Sequence, residues 1–283
     1  MTLNTTIPLS VATQDNRQLL IIEKLKSLGF CASPLRSQFE PLGENHGIIL
    51  PVPVSRDGVY LNGDEKIKLS DILNKLHDKT IVFGGLFPDD FKCKLGERGI
   101  KYVDYCEKQT FTVKNAKITA EGAVFYLMRE MSKAIDNGRF LVCGYGRIGS
   151  MLSYMLKSLG GIVYVAARRE ESLCMAEVNG FIPVKINSES NKLEFFEKCC
   201  FDAIINTVPN RIFDDASADV NIFNNTIYLE LASAPYGACP RLVSRLGGKY
   251  IDGGGIPGKY APESAADVIL QIITENLSNK EDS

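Results

Sequence analysis

Residues 139–149 read RFLVCGYGRIG, and this stretch decides the fold because an apolar run stops there at a triple-glycine turn. Gly144 permits a tight turn from strand to helix, Gly146 lets the backbone approach a pyrophosphate, and Gly149 allows a helix to pack closely on the strand. The free N–H groups of the helix N-terminus attract the anion. The stretch therefore predicts a dinucleotide site with contacts from Gly144, Gly146, Arg147, Ile148 and Gly149.

The segment after the glycine motif completes a βαβ unit, because apolar residues recur at helical spacing before a second buried strand over residues 162–166. That strand is followed by Arg168 and Arg169. NAD sites usually have an acidic residue here for the ribose 2′-hydroxyl, whereas two arginines suit a 2′-phosphate. The sequence therefore favours NADP. NAD stays an alternative, because the arginines could only cap a surface turn or be neutralised by Glu170 and Glu171.

Length and composition fit a globular protein of two domains. The chain has 283 residues, of which 45% are hydrophobic and 23% charged, and the formal net charge is −2. This charge gives no basic surface for nucleic acid or an anionic membrane, and no apolar run reaches the roughly 18 residues of a membrane span. The opening MTLNTTIPLSVATQDN lacks the pattern of a signal peptide. We therefore expect a cytoplasmic protein that binds neither nucleic acid nor membrane.

Cysteine and histidine usage argues against a metal centre. None of the eight cysteines forms a CxxC pair, and His46 and His77 are the two histidines of the chain. Zinc sites need cysteine and histidine ligands at short, regular spacing. We therefore expect no metal, and we interpret most of the cysteines as small core residues.

The first part of the chain predicts a small α/β domain over residues 1–118. Strands are expected at residues 7–12, 48–52, 80–83 and 101–103, and a helix is expected at 16–28. This pattern is typical of a small parallel sheet with helices. Residues 106–118 are polar and without periodicity, so the next helix is expected to begin near Thr119 and to contain Val124, Leu127, Met128, Met131 and Ile135.

The second part predicts a Rossmann-type sheet. Further strands are expected at residues 203–206, 226–229 and 249–251, with a helix over 191–200. The predicted fold class is α/β, with a C-terminal doubly wound parallel sheet and a smaller N-terminal α/β domain. Residues 119–261 are assigned to the NAD(P)-binding domain. A C-terminal segment, 262–283, with a helix over 262–277, is expected to return to the first domain and to leave cofactor and substrate in a cleft.

Three loops at successive strand ends are expected to lie near the nicotinamide, because ligands bind at the carboxyl ends of strands in such sheets. They read NTVP at 206–209, ELAS at 230–233 and GGGIPGK at 253–259. Small residues and proline allow close approach to a flat ring. The candidate contacts are Thr207, Val208, Pro209, Leu231, Ala232 and Ser233.

Several motifs taken together resemble the A subunit of dipicolinate synthase. They are LVCGYGRIGSMLSYMLKSLGGIVYVAARR, INTVP, ELAS, IPGKYAPESA, ATQDNRQL and ITAEGAV, within residues 7–273. The glycine motif alone fits many dehydrogenases, but its combination with VAARR, NTVP and PGK-x-AP is more specific. The chain departs from the family at residues 12–15, where ATQD stands in place of the usual Gly-Gly-Asp-type turn.

The resemblance implies oxidation of a 4-hydroxy-tetrahydrodipicolinate-type intermediate to pyridine-2,6-dicarboxylate in a spore-forming bacterium. It also implies a nicotinamide cofactor and, for a partner, a flavoprotein-like B subunit, while a homo-oligomer stays open. Loss of water and then of hydride creates an aromatic ring, so the reaction needs mainly orientation and one proton acceptor. A dicarboxylate substrate also needs cations.

Cations and proton acceptors for this chemistry lie in the motifs and predicted loops. The candidate cations are Arg17, Arg36, Arg56 and Lys259, of which Arg17 and Lys259 lie in family-like motifs. Substrate contacts are assigned to Arg17, Ser55 and Thr119. The proton acceptor stays open among Asp15, Glu121 and Lys259.

Other functions fit the sequence to different degrees. A two-domain 2-hydroxyacid dehydrogenase uses a late histidine, and no histidine follows His77. A shikimate-dehydrogenase-like or methylene-tetrahydrofolate-dehydrogenase-like oxidoreductase fits NTVP and the Pro-Gly loop. A non-catalytic NADP-binding regulatory module also stays open, and turnover of a cyclic imine would distinguish an enzyme from it.

Overall fold

The computed structural model describes residues 5–35, 42–189, 193–194, 200–215 and 220–278. The chain divides into two compact units. One unit consists of Met1–Asn115 with Pro257–Ser283, and the other consists of Ala116–Ile256. The division into functional domains at residues 118 and 261 stays a prediction.

The first unit contains a parallel sheet with strand order β2-β1-β3-β6-β7 and an antiparallel pair, β4-β5. The strands are β1 (Leu9–Val11), β2 (Ala32–Pro34), β3 (Gly47–Ile49), β4 (Tyr60–Leu61), β5 (Asp64–Lys68), β6 (Ile81–Gly84) and β7 (Lys101–Asp104). The helices are α1 (Asn16–Ser27), α2 (Leu69–Lys75) and α3 (Asp89–Glu97). The four strands expected from apolar runs form with slightly different bounds, and β2, β4 and β5 are additional to them.

Helix α1 begins at a capping box. The side chain of Asp15 accepts hydrogen bonds from the N–H groups of Arg17 and Gln18, at 2.9 and 3.4 Å. In return, Gln18 Oε1 accepts a hydrogen bond from the N–H of Asp15 at 3.2 Å. This reciprocal arrangement pairs donors that a helix start otherwise leaves unsatisfied.

Helix α10 (Pro262–Ser278) belongs to the first unit and packs against α1. Its first residue is Pro262, which suits a helix start because proline there costs no hydrogen bond. The buried side chains of α10 recur at helical spacing, which places them on one face in a shared hydrophobic core with α1. They are Ala265, Ala266, Ile269, Ile272, Ile273 and Leu277.

The second unit contains a sheet with strand order β11-β10-β9-β8-β12-β13-β14. Its strands are β8 (Arg139–Cys143), β9 (Ile162–Ala167), β10 (Ile182–Ile186), β11 (Leu193–Glu194), β12 (Ala203–Asn206), β13 (Ile227–Glu230) and β14 (Lys249–Asp252). All except β11 are parallel. Counted from β8, the parallel strands have the order 3-2-1-4-5-6 of a Rossmann fold. The predicted doubly wound sheet is therefore confirmed. The helices of this unit are α5 (Arg147–Ser158), α6 (Glu170–Val178), α7 (Val220–Phe223) and α8 (Pro240–Arg245).

Helix α4 (Gln109–Glu130) begins earlier than the sequence predicts. The expectation of a polar connection over residues 106–118 is wrong, because Thr119 lies well inside this helix and Ile135 lies beyond its end. The early turns bury Phe111, Ala116 and Ile118, which stand among polar residues. So few apolar side chains give a weak periodicity, which explains the error.

Three further local predictions differ from the structure. The cysteines are mostly not core residues, because five of the seven described ones are exposed and only Cys143 among them is buried. Helix α9 (Ile256–Tyr260) takes up part of the stretch 253–259, for which the sequence predicts a loop. Within the helix expected over residues 191–200, Leu193–Glu194 instead form strand β11, which pairs with β10. There Glu194 lies opposite Lys185, and opposite charges stabilise such a cross-strand pair. Residues 191–192 and 195–199 lie outside the described residues.

Candidate functional site

The turn after β8 places its three glycines in three different environments. Gly144 has a φ of 97°, and a Cβ there would lie 2.6 Å from Thr207 Oγ1 and from Val208 Cγ2. A Cβ at Gly149 would overlap the carbonyl oxygen of Gly144. Gly146 is exposed, and a Cβ there would meet no atom within 4 Å. The fold therefore needs glycine at 144 and 149, but it leaves open space at 146.

This open space adjoins the amino end of α5. Gly146 is the N-cap residue, and it offers no side chain to bond the first N–H groups of the helix. The N–H groups of Arg147, Ile148 and Gly149 belong to that first turn, where a helix has no backbone acceptor for them. Such groups, together with the helix dipole, bind phosphate oxygens. The turn therefore fits the pyrophosphate of a dinucleotide.

Arg168 and Arg169 lie at the carboxyl end of β9, and both are exposed. Arg169 is the N-cap residue of α6. Glu170, which the sequence offers as a neutralising partner, is paired with Lys185 of β10 at 3.6 Å. The two arginines follow the second strand of the Rossmann order, where the ribose 2′ position of a dinucleotide is recognised.

The NTVP loop after β12 is tied to the glycine turn and to its own strand. Thr207 Oγ1 donates to the carbonyl of Cys143 at 2.8 Å. Val208 is held from both sides, because its N–H donates to Asn206 Oδ1 at 3.1 Å and its carbonyl accepts from Asn206 Nδ2 at 2.9 Å. Pro209, the next residue, is exposed.

The loop after β13 begins with a buried carboxylate. Glu230 is fully buried, and burial raises its pKa above the usual value, although hydrogen bonds partly offset this effect. Leu231 and Ala232 are half-buried, whereas Ser233 is exposed. The N–H of Leu231 donates to the Asn206 carbonyl at 2.9 Å, so this loop is joined to the NTVP loop.

In the first unit, Arg17 is only 7% exposed and is ion-paired with Asp15. Its Nη2 donates to Asp15 Oδ2 at 2.6 Å and to the carbonyl of Val52 at 3.3 Å. A Cβ at Gly258 would lie 2.9 Å from Arg17 Nε, so the α9 backbone passes close to the guanidinium. The structure thus brings Asp15 and Arg17 together beside the residue that precedes Lys259, which is exposed.

A small cavity with a mainly apolar lining lies beside Arg17, and Gln18 and Tyr105 form part of its wall. Gln18 Nε2 and Tyr105 OH are buried without a hydrogen-bond partner in the described part of the chain. Burial also raises the pKa of Tyr105 well above its usual value. Unpaired buried donors are costly, so they are suited to an oxygen atom of water or of a ligand. Sequence reasoning missed both residues, because Gln18 looks like an ordinary polar residue of the first helical turn and no spacing indicates that Tyr105 lies at the same cavity.

The other candidate residues of the first unit have local structural roles or lie on the surface. Ser55 is buried, and its hydroxyl donates to Asp57 at 3.0 Å and accepts from the N–H of Gly58 at 3.0 Å. Arg56 is exposed. Arg36 lies outside the described residues.

Two candidates lie on the part of α4 that belongs to the second unit. Thr119 is buried, and Glu121 is half-buried with its carboxylate 3.9 Å from Lys117 Nζ. The candidate proton acceptors are thus divided between the units, with Asp15 and Lys259 in the first and Glu121 in the second.

The described ranges contain neither a candidate metal cluster nor a candidate membrane span. No group of three or more histidine, cysteine, aspartate or glutamate side chains is placed there to hold a metal ion. None of the described helices is long and apolar enough to cross a membrane.

The chain shares sequence similarity with a protein of known function. No protein-family profile matches the chain. The A subunit of dipicolinate synthase from Bacillus subtilis (strain 168) is 24% identical over 242 residues, which cover 84% of this chain and 80% of that protein. The chain is similar to the A subunit of dipicolinate synthase. The resemblance indicated by the sequence motifs is therefore confirmed over most of the chain.

Solved structures confirm the fold. The A chain of dipicolinate synthase from B. subtilis matches with a TM-score of 0.75 at 23% identity, covering 98% of this chain and 97% of that one. The A subunit of dipicolinate synthase from Bacillus halodurans gives 0.77 at 20% identity, covering 98% and 99%. A transhydrogenase from Sinorhizobium meliloti gives 0.56 at 12% identity, covering 95% and 92%. L-alanine dehydrogenase gives 0.55 at 12% identity, covering 91% and 78%. The α/β, Rossmann-type fold class is thus confirmed.

Proposed function

We propose that the chain is a nicotinamide-dependent oxidoreductase of the dipicolinate synthase type. Its reaction would form pyridine-2,6-dicarboxylate from a 4-hydroxy-tetrahydrodipicolinate-type precursor during sporulation. The observation that carries this proposal is a glycine turn open at Gly146, in a chain similar to the A subunit of dipicolinate synthase over 84% of its length. The transhydrogenase and alanine dehydrogenase that share the fold also support a redox function.

The carboxyl edge of the second-unit sheet suits the two halves of a dinucleotide. The strands β8 to β10 form the half expected to take the adenosine part, with the pyrophosphate on the first N–H groups of α5. Arg168 and Arg169 suit a 2′-phosphate, so NADP is the proposed cofactor, with NAD as the alternative. The loops after β12 and β13 belong to the half expected to hold the nicotinamide. When bound, its ring would accept a hydride.

The chemistry needs little more than orientation and proton transfer. Loss of water from the hydroxylated ring gives a dihydro ring, and loss of a hydride and a proton then completes the aromatic ring. We assign Arg17 to a substrate carboxylate, since a guanidinium binds carboxylates by charge-assisted hydrogen bonds. Ser55 and Thr119 stay proposed substrate contacts.

Lys259 is the proposed proton acceptor. It is exposed on α9, next to Gly258 and therefore close to the backbone that borders Arg17. Asp15 is less suited to this role, because its carboxylate already binds Arg17 and the first N–H groups of α1. Glu121, on α4, is retained as the alternative.

The proposed partners are a small dicarboxylate substrate and a second, flavoprotein-like subunit. The similar B. subtilis protein supports the second proposal, since its name makes it one of several subunits and so implies a companion chain in that enzyme. Neither nucleic acid nor a membrane is proposed as a partner.

A turnover assay tests this function. The chain would be supplied with the cyclic precursor and NADP or NAD, with and without the B subunit, while the absorbance of pyridine-2,6-dicarboxylate is followed. We expect product to form, and Lys259→Ala to slow it by about 100-fold or more because general base catalysis is lost. Lys79→Ala is the matched control, because Lys79 is an exposed lysine of the same unit paired with Glu44.

Each negative outcome of this assay indicates a different function. Nucleotide binding without turnover under any of these conditions would favour a non-catalytic module and would contradict the proposal. Turnover of shikimate or of methylene-tetrahydrofolate in place of the cyclic imine would favour the other dehydrogenase classes.

A further inference from the structure

The carboxylate of Glu230 lies at the centre of a hydrogen-bond network at the carboxyl end of β13. Its Oε1 accepts from Asn206 Nδ2 at 2.6 Å and from the N–H of Ala232 at 3.1 Å. Its Oε2 accepts from the N–H of Gly237 at 2.8 Å and lies 3.3 Å from Tyr228 OH. Within the described part of the chain, no lysine or arginine pairs with it. A fully buried carboxylate is therefore stabilised mainly by three N–H donors.

These donors come from both loops of the proposed nicotinamide side. Ala232 and Gly237 belong to the loop after β13, while Asn206 ends β12 and bonds both the N–H and the carbonyl of Val208. The network also leaves no room for a larger residue, because a Cβ at Gly237 would lie 2.6 Å from Asn206 Cγ. One carboxylate thus fixes the shape of two neighbouring loops.

Glu230 itself cannot reach a ligand, because it is fully buried. It can act only through the loops that it holds. These loops belong to the half of the sheet expected to take the nicotinamide, whereas strands β8 to β10 take the adenosine part in a Rossmann fold. The two halves meet where Thr207 Oγ1 bonds the Cys143 carbonyl, but the three N–H donors to Glu230 all lie on the nicotinamide side. A change at Glu230 should therefore affect the two halves of the cofactor unequally.

We infer that Glu230 is a positioning residue that holds the loops 206–209 and 230–237 in the shape that binds the nicotinamide half of the cofactor. The inference rests on the proposed function, since it assumes a nicotinamide dinucleotide. It adds a residue that contacts neither cofactor nor substrate but sets the geometry of those that do. Preorganised loops of this kind bind more tightly because less ordering is required on binding.

Glu230→Gln is the most informative substitution, because it keeps the shape of the side chain and removes the charge of the carboxylate. A carboxamide has one oxygen and one NH2 group, whereas both oxygens of Glu230 accept from N–H donors. If the glutamine NH2 group replaces Oε1, it faces Asn206 Nδ2 and the N–H of Ala232. If it replaces Oε2, it faces the N–H of Gly237. Either orientation sets a donor against a donor, so at least one loop must move.

The experiment compares two nucleotides that differ only by the nicotinamide ring. Calorimetry would measure the Kd of NADP and of 2′-phospho-ADP-ribose for the parent and for Glu230→Gln. We expect NADP binding to weaken by about tenfold or more, while 2′-phospho-ADP-ribose binding changes by less than about twofold. Tyr228→Phe, which removes one contact at 3.3 Å, should give a smaller loss with the same selectivity, and it serves if Glu230→Gln does not fold.

The matched control is Thr226→Val. Thr226 is buried just before the amino end of β13, where its hydroxyl shares one proton between the carbonyl oxygens of Phe201 and Ile222, at 2.7 and 2.8 Å. This variant should lower the melting temperature without changing either Kd. If the Glu230 and Tyr228 variants weaken the binding of both nucleotides equally, or of neither, the inference about Glu230 is wrong while the proposed function stands. If the parent binds neither nucleotide, the proposed function fails and the inference with it.

Discussion

Arg168 is an exposed residue at the carboxyl end of β9, in the position that recognises the ribose 2′ group in Rossmann folds. Arg168→Asp should weaken NADP binding by about tenfold or more, because an attraction is lost and a repulsion is added. NAD binding should stay constant or improve through a new hydrogen bond to the ribose. Titration calorimetry at fixed ionic strength measures both affinities, since salt screens exposed charges.

Arg241→Asp makes the same change of charge on an exposed residue of α8 in the same unit, so it is a suitable control. It should leave the ratio of the NADP and NAD affinities unchanged. If the ratio for Arg168→Asp also stays within a factor of about two of the parent, Arg168 does not select the cofactor.

We expect His46 to make the free energy of unfolding depend on pH. Burial lowers the pKa of His46 below its usual 6.5, and its Nε2 lies 2.9 Å from Ser10 Oγ. The unfolded chain therefore binds a proton at His46 more readily than the folded chain does. The contribution of neutral His46 to the free energy of unfolding is fully present above pH 6.5 and is lost as the pH falls through the pKa of the folded state. Urea unfolding at about pH 7.5 and about pH 5.5 should show a smaller pH dependence for His46→Gln. An identical pH dependence in parent and variant would refute this role of His46.

Individual residues differ in whether their roles can be predicted from the sequence. The roles of Gly144 and Gly149 can be predicted from the spacing of the glycine motif alone, because the steric reason for each glycine is local. Glu230 looks like an ordinary polar residue after an apolar run, and its network exists only once Asn206 and Gly237 are brought to it. The pairing of Glu170 with Lys185 likewise depends on β10 lying next to β9.

At the scale of elements, the contact between α5 and β8 depends on Gly149. A methyl group there would overlap the carbonyl oxygen of Gly144, and a backbone atom cannot move aside as a flexible side chain can. Gly149→Ala should therefore lower the free energy of unfolding by about 1–3 kcal/mol. Urea denaturation measures this change. A variant with the stability of the parent would show that helix and strand are not in such close contact.

Helices and strands with a strong apolar pattern can be predicted from the sequence. Elements that form only because they pack or pair with a distant part of the chain cannot. The strands β8, β9 and β12 are apolar runs buried in the sheet, and the sequence predicts each close to its observed bounds. The first turns of α4 bury few apolar residues, so they carry little periodicity. Strand β11 forms because it can pair with β10, the outermost parallel strand of the sheet, and no local sequence pattern predicts this pairing.

At the scale of the whole molecule, the first unit is built from both ends of the chain. Ile273 of α10 is fully buried in a hydrophobic core that includes Ile21 and Leu25 of α1. Ile273→Ala should cost about 2–5 kcal/mol, because it removes buried methyl groups and leaves a cavity. Hydrogen exchange should then increase in Asn16–Ser27 as well as in α10. An increase confined to α10 would contradict cooperative packing of the two helices.

The turn after β8 is proposed to bind a nicotinamide dinucleotide, and Gly146→Val tests this binding with little disturbance of the fold. A Cβ at Gly146 meets no protein atom within 4 Å, so the substitution should leave the fold intact while it occupies the space proposed for the pyrophosphate. The measurement is the Kd of NADP for parent and variant by calorimetry, with circular dichroism to confirm folding. We expect NADP to bind the parent and to show no detectable binding to the folded variant. Unchanged affinity in a folded Gly146→Val would mean that the turn after β8 does not hold the pyrophosphate.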